Sequence, residues 1–316
     1  MSSPILQDFI ILNQTGLYCR YGNFYLDPQS PVLNAVISHA HADHAVSGNQ
    51  NVYCTDATKL FMQHRYKKFA ASTFHSKKYK EGFELGPVQI SFYPAGHMLG
   101  SAMILMEYQG VKYLYTGDYK LENDATCEAI EFVDADVLIT ETTFADPKVA
   151  HPDAISEIEK LNKVESNIML GAYALGKSQR LIHLISKHCP EKKILVHHSI
   201  IPFVHLYEQC GVYLGNYQVY DRKIMKQSLE GNIYMVPPMV FNSYIRAINV
   251  VRVFATGWKH LQNNNGLTLY ISDHVDWKAI IETIEKVKPM EVWTLHGDGK
   301  QLQAYFKDKL TVKILN

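Results

Sequence analysis

Seven residues, Ser38-His39-Ala40-His41-Ala42-Asp43-His44, constrain this chain more than any other stretch. A purely structural loop has little reason to carry three imidazoles and a carboxylate in so short a span. The cluster follows Asn34-Ala35-Val36-Ile37, an apolar run that reads as a buried strand. Its polar groups therefore emerge at the strand's C-terminal end, just before the break at Ser47-Gly48-Asn49. In an extended turn His39 and His41 point the same way, while Asp43 and His44 turn towards a neighbouring site. Borderline divalent ions such as zinc accept imidazole nitrogen and carboxylate oxygen readily, so the order predicts two metals.

The same arrangement recurs along the chain. Residues 88–93 read as a strand leading to His97, which sits between Gly96 and Gly100 in a tight loop. Residues 111–115 end in Thr116-Gly117-Asp118, and 136–140 run into Glu141-Thr142-Thr143-Phe144. Further on, an expected strand at 268–271 precedes Ser272-Asp273-His274-Val275-Asp276-Trp277, and 291–295 deliver His296-Gly297. Several strands presenting His, Asp and Glu at one edge is the geometry of a catalytic rim. His39, His41 and His97 would fill one site, Asp43, His44 and His296 a second, with Asp118 bridging. Two ions so placed clamp a phosphoryl group and supply a nucleophile from water. Upstream, two strands of a hairpin flank Tyr21-Gly22-Asn23, and Asp27 before Pro28 either caps a turn or orients a ligand histidine from behind. The remaining nine histidines, His197-His198 included, read as ordinary core or surface residues.

The middle of the chain has another rhythm. Strands at 167–170, 193–196 and 233–236 alternate with helices near 155–163, 177–188 and 201–209, which predicts a mostly parallel layer of its own. The turn before the helix at 177 carries Lys177, Ser178 and Arg180 beside open backbone N–H groups, a natural phosphate seat. It lacks the spacing of a Walker loop. A helix at 58–69 has a basic face, read as solvated.

Composition narrows the class. The 316 residues are 47% hydrophobic, enough for about two domains and a sizeable core. No stretch approaches the ~20 apolar residues of a membrane span, and there is no secretory pattern at the start. Five cysteines without a C-x-x-C pair suit reduced thiols in the cytoplasm. Net charge is zero, yet Pro147 to Phe254 holds 13 Lys/Arg against 8 Asp/Glu, a basic middle compatible with a polyanionic substrate.

The five metal-type segments together resemble the metallo-β-lactamase fold. Glu141, His274 and His296 resemble the three motifs added by its β-CASP nuclease branch. Closer still, Gly16-Leu17-Tyr18-Cys19, Phe24-Tyr25-Leu26-Asp27-Pro28, Tyr173-Ala174-Leu175-Gly176-Lys177-Ser178-Gln179-Arg180 and Ser272-Asp273-His274-Val275-Asp276-Trp277 are similar to the bacterial ligase-associated DNA exonuclease family. The resemblance implies an α/β protein: an αββα sandwich from 1–146 and 255–316, split around a β-CASP-like cap at 147–254. It implies a nuclease with two divalent ions, zinc or manganese, acting on DNA ends in repair and associated with an ATP-dependent DNA ligase and a helicase. RNA, or a small molecule, is the alternative substrate. Asp43, Glu141 and His274 would be catalytic, with His274 protonating the leaving oxygen and Glu141 orienting either a ligand or His274. Asp273 and Asp276 are the carboxylates expected to hold its charge.

Overall fold

The computed structural model describes residues 4–221, 231–243, 250–262 and 265–315. Two compact units divide them: Met1–Asn123, Cys127–Ala150 and His274–Asn316 form the first, and Asp124–Thr126 with His151–Asp273 form the second.

The first unit holds two sheets. One has six strands in sequence order: β1 (Ile10–Asn13), β2 (Gly16–Cys19), β3 (Phe24–Leu26), β4 (Asn34–Val36), β5 (Asn49–Cys54) and β6 (Ala71–Ser76). The first three pair antiparallel and the rest parallel. The other sheet is built from β7 (Phe83–Leu85), β8 (Val88–Pro94), β9 (Ala102–Tyr108), β10 (Val111–Tyr115), β11 (Val137–Glu141), β17 (Glu291–Leu295) and β18 (Thr311–Ile314). Its order is β18-β17-β11-β10-β9-β8-β7. The return segment thus pairs directly with β11, parallel and in register from Val137↔Glu291 to Glu141↔Leu295.

Side-chain alternation explains the layering. On β9, Ala102, Ile104 and Met106 share a core with Leu17, Cys19, Phe24 and Leu26 of the facing sheet. Met103 and Leu105 point the other way, against Ile280, Ile284 and Val287 of the helix Trp277–Val287. A strand covered on both faces must be apolar throughout, as Ala-Met-Ile-Leu-Met is. The helix Asp56–Tyr66 covers the outer face of the six-stranded sheet, with Met62 against Ala35, Val52 and Cys54. It begins two residues before the expected 58, because Thr55 Oγ1 caps it by accepting from the Thr58 N–H. It ends at Tyr66, where Lys67 turns to φ +54° and starts a 3₁₀ turn.

The second unit carries a five-stranded parallel sheet: β12 (Asn167–Gly171), β13 (Ile194–Val196), β14 (Gln218–Val219), β15 (Ile233–Val236) and β16 (Val250–Phe254), in the order β14-β13-β15-β12-β16. Helices Ala154–Glu159, Lys177–His188 and Ile201–Gln209 connect as the alternation predicts. Residues 255–273, expected in the return segment, group with this unit. The strand expected at 268–271 reduces to one bridge, Ala255↔Leu269. The Tyr270 N–H donates to Glu157 Oε2 and the Ile271 N–H to the Leu269 carbonyl, so neither joins a ladder.

Trp293 on β17 anchors the larger core. It is fully buried, its Nε1–H donates to Glu291 Oε2 at 2.9 Å, and the Lys313 ammonium lies 4.2 Å from its ring centre. Trp293→Ala should cost about 3–5 kcal/mol in denaturant unfolding. A loss below 1 kcal/mol would mean that this core collapses around the missing ring.

Candidate metal centre

The site is assembled on a buried carboxylate. Asp27 leaves β3 at φ +41° and is only 5% exposed. Its Oδ1 accepts from the Ser38 N–H at 2.7 Å, and Oδ2 accepts from the Ser38 hydroxyl at 2.5 Å and the Tyr115 hydroxyl at 2.9 Å. The His44 Nδ1 lies 2.9 Å from the same Oδ2. A buried carboxylate is tolerated when its lone pairs are filled in this way.

These bonds aim the ligands. The Ser38 proton goes to Asp27, so Ser38 Oγ accepts from His39 Nδ1–H at 3.0 Å and leaves the His39 Nε2 lone pair facing inward. His39 Nε2 and His97 Nε2 each lie 3.1 Å from His41 Nδ1. Asp118 Oδ2 lies 3.6 Å from the first and 3.8 Å from the second. The ligand atoms of these four residues all fall within 4.8 Å of one another. Three imidazole nitrogens and one carboxylate oxygen, with a ring orientation fixed from behind, fit a borderline divalent ion. Gly117 makes the approach of Asp118 possible: at φ +54°, a Cβ there would meet Ser38 Cβ at 2.7 Å.

The second expected set is more open. His44 Nε2 lies 3.4 Å from Asp118 Oδ2 and 3.9 Å from Asp43 Oδ2, and the Asp43 side chain is 78% exposed. His296, at φ +54°, is exposed, with its ring centre 5.6 Å from that of His44.

His274 also reaches Asp118, with Nδ1 3.9 Å from Oδ2, and its ring centre lies 5.3 Å from that of His97. Its carboxylate partner is Glu141, whose two oxygens lie 3.1 and 2.9 Å from Nδ1. Fully buried Glu141 also accepts from the Tyr119 N–H at 3.2 Å and the Thr143 hydroxyl at 2.7 Å. The two acids expected to serve His274 are engaged elsewhere. Asp276 caps its helix by accepting from the Ala279 N–H, and Asp273 receives Lys177 at 3.0 Å and Arg180 at 2.8 Å.

Lys177, Ser178 and Arg180 are all buried within the second unit. Lys177 also donates to the Ile271 carbonyl, Arg180 to that of Ser272, and Ser178 to that of Tyr173. Ser38 and Tyr115 were not singled out as site residues from the sequence. Ser38 stands inside the histidine cluster, and Tyr115 ends the strand that delivers Asp118, which were the available signals.

Burial above all, helped by neighbouring His44 and His97, holds His39 well below the ordinary imidazole range and keeps it neutral. Burial also acts to depress His44, but Asp118 and Asp27 outweigh it and lift that ring well above its usual value. Asp118 is the mirror case: burial raises it, and the cations at His44 and His274 bring it well below the carboxylate range.

In the metal-free protein near pH 7, His44 is therefore protonated against an ionised Asp118. A metal that takes the His44 lone pair must expel that proton, so its apparent affinity rises with pH up to the elevated pKa of His44. Zinc titration calorimetry at pH 7, in buffers of different ionisation enthalpy, should show release of about one proton per chain. Binding with no proton release would contradict this assignment.

No protein-family model matches the chain. A protein named "Probable DNA ligase" from Opitutus terrae is 28% identical over 93% of this chain and 30% of its own length. An RNase J-like protein of Methanocaldococcus jannaschii is 27% identical over 50% of this chain and 44% of its own. Cleavage and polyadenylation specificity factor subunit 3 of Dictyostelium discoideum is 29% identical over 43% and 19%. The matched region spans less than half the length of each. A solved protein of unknown function from Enterococcus faecalis V583 shares the fold, with a TM-score of 0.59 at 13% identity over 90% of this chain and 79% of that one. Endoribonuclease YSH1 of Gibberella zeae is 32% identical over 33% of this chain and 13% of its own. These RNase J-like, polyadenylation-factor and endoribonuclease relatives are metallo-β-lactamase/β-CASP proteins, and the similarity supports a hydrolase of that nuclease family.

Proposed function

We propose that this chain is a metal-dependent nuclease that hydrolyses phosphodiester bonds at DNA ends. The observation that carries the reading is the His274–Glu141 pair standing beside the cluster of His39, His41, His97 and Asp118. A small-molecule hydrolase of this kind would account for the ligands but not for Glu141 and His274, whereas a phosphodiesterase has use for a group that protonates the departing alkoxide. Two divalent ions, zinc or manganese, would be held by His39, His41, His97 and Asp118, and by Asp43, His44, Asp118 and His296. When bound, they supply a nucleophile from water near neutral pH and neutralise charge on the phosphoryl oxygens.

The chain's own residues do the rest. Asp27 and Ser38 fix the ring orientations of His44 and His39. Exposed Asp43, besides ligating, would accept a proton from the attacking water. Glu141 holds the Nδ1 edge of His274 and balances charge developing on the ring, so that the opposite nitrogen, Nε2, can donate to the leaving oxygen. In this reading the first unit is an αββα sandwich and the second a β-CASP-like cap. Lys177, Ser178 and Arg180 shape the substrate surface of that cap from within.

DNA is preferred because similarity to the ligase-named protein runs over 93% of this chain, against 50% or less for the RNase J-like and polyadenylation-factor relatives. A repair setting alongside a DNA ligase is proposed on the name of that relative, and a helicase partner and a cytoplasmic location on the sequence resemblance alone. RNA is the second reading, favoured by the endoribonuclease names among the relatives.

End-labelled DNA and RNA strands of one sequence, incubated with zinc or manganese and resolved by length, decide between them. DNA should shorten progressively from an end; faster RNA cleavage would favour the second reading. His274→Ala should lower turnover about 10²–10⁴-fold with metal content unchanged. Loss of a metal from that variant would make His274 a ligand.

A further inference from the structure

Beside the ligands, wholly within the first unit, lies a cavity of about 500 Å³. One wall is the open half of the metal centre: Asp43, His44 and His296. Much of the remaining lining is apolar, with Leu12 and Leu17 from the β1–β2 hairpin and Leu295 and Leu315 from the return segment. Asp27 and Tyr115, which support His44, also line it, while the leaving-group pair of His274 and Glu141 does not. Resting on the nuclease reading above, we infer that this cavity is the seat of one unpaired nucleoside, the one that keeps the scissile phosphate.

Asp118 Oδ2 lies 3.4 Å from His44 Nε2 and 3.9 Å from His274 Nδ1, and of these two histidines the cavity is lined by His44 and not by His274. A strand crossing the centre with its leaving oxygen at His274 puts its other nucleoside in the cavity.

A volume of about 500 Å³ lies within the range of pockets for drug-sized ligands, ~300–1,000 Å³. Leucine walls suit the apolar faces of a base, while polar groups line the metal side. Gln29 on the wall is held by its amide donating to the Asp43 carbonyl at 2.9 Å. The β1–β2 turn that carries the leucines needs Gly16 at φ +130°. A base seated among these side chains has left its stack and its pairing partner. The enzyme should therefore prefer frayed or single-stranded ends, where that separation costs least.

Leu12 is the residue to test, because at 42% exposure on the cavity rim it can be changed without opening the core. Two diesters with one leaving group separate the effects: thymidine 5′-p-nitrophenyl phosphate presents a nucleoside to the cavity, and methyl p-nitrophenyl phosphate does not. The wild-type protein should prefer the thymidine ester in kcat/KM, and Leu12→Glu should reduce that preference at least tenfold. In parallel, titration calorimetry with thymidine 5′-monophosphate and the zinc-loaded protein should show binding that Leu12→Glu weakens by a similar factor. Unaltered nucleotide binding in a variant with wild-type circular dichroism overturns the cavity assignment. Failure of the wild-type protein to cleave either diester with zinc or manganese overturns the nuclease reading, and the binding titration still decides whether the cavity holds a nucleoside.

Discussion

The carboxylate of Asp27 is the interaction on which the rest of this site depends. It joins the end of β3 to the loop after β4 through Ser38, and reaches across to the second sheet through the Tyr115 hydroxyl. The same group fixes His44 directly and His39 through the Ser38 hydroxyl. A charge so deeply buried would be costly alone; with its donors in place it ties two sheets together and orients a ligand set at once. Site and core are therefore coupled, and a site of this precision needs both sheets folded.

That coupling divides the ligands into two classes. His39 and His97 sit in the interior with Asp118, where burial keeps His39 neutral and ready to bind. Asp43 and His296 stand at an exposed rim beside a cavity. A closed set holds an ion firmly, and an open one leaves room for substrate oxygen, so the asymmetry suits a centre that binds metal on one side and works on substrate at the other. In the proposed reaction His274, held by Glu141 and 3.9 Å from Asp118, supplies the remaining group.

Much of this was legible in the sequence, for identifiable reasons. Strands β10, β15 and β17 fall on the expected bounds because each is a short apolar run ended by polar residues. Apolar runs before His39, Asp118, Glu141 and His296 also placed those residues at strand ends. Partnerships were harder to see. Glu141 and His274 are 133 positions apart; the family resemblance allowed Glu141 to orient either a ligand or His274, whereas the local pattern pointed to Asp273 and Asp276, which helix capping and the cations of the second unit occupy. The same blindness affects Lys177 and Arg180: a turn with two cations looks like a phosphate seat until the carboxylate that meets both, Asp273, is brought beside them. The strand expected at 268–271 dissolved because Glu157, more than 100 residues earlier, takes the Tyr270 N–H.

If these side chains converge to hold metal for phosphodiester chemistry, anomalous diffraction from zinc-loaded crystals, measured on both sides of the metal edge, will locate the ions. One peak is expected among His39, His41, His97 and Asp118 and a second between His44, Asp43, His296 and Asp118, about 3.5–4 Å from the first. Peaks elsewhere on the surface, or none at the four converging residues, would contradict that convergence.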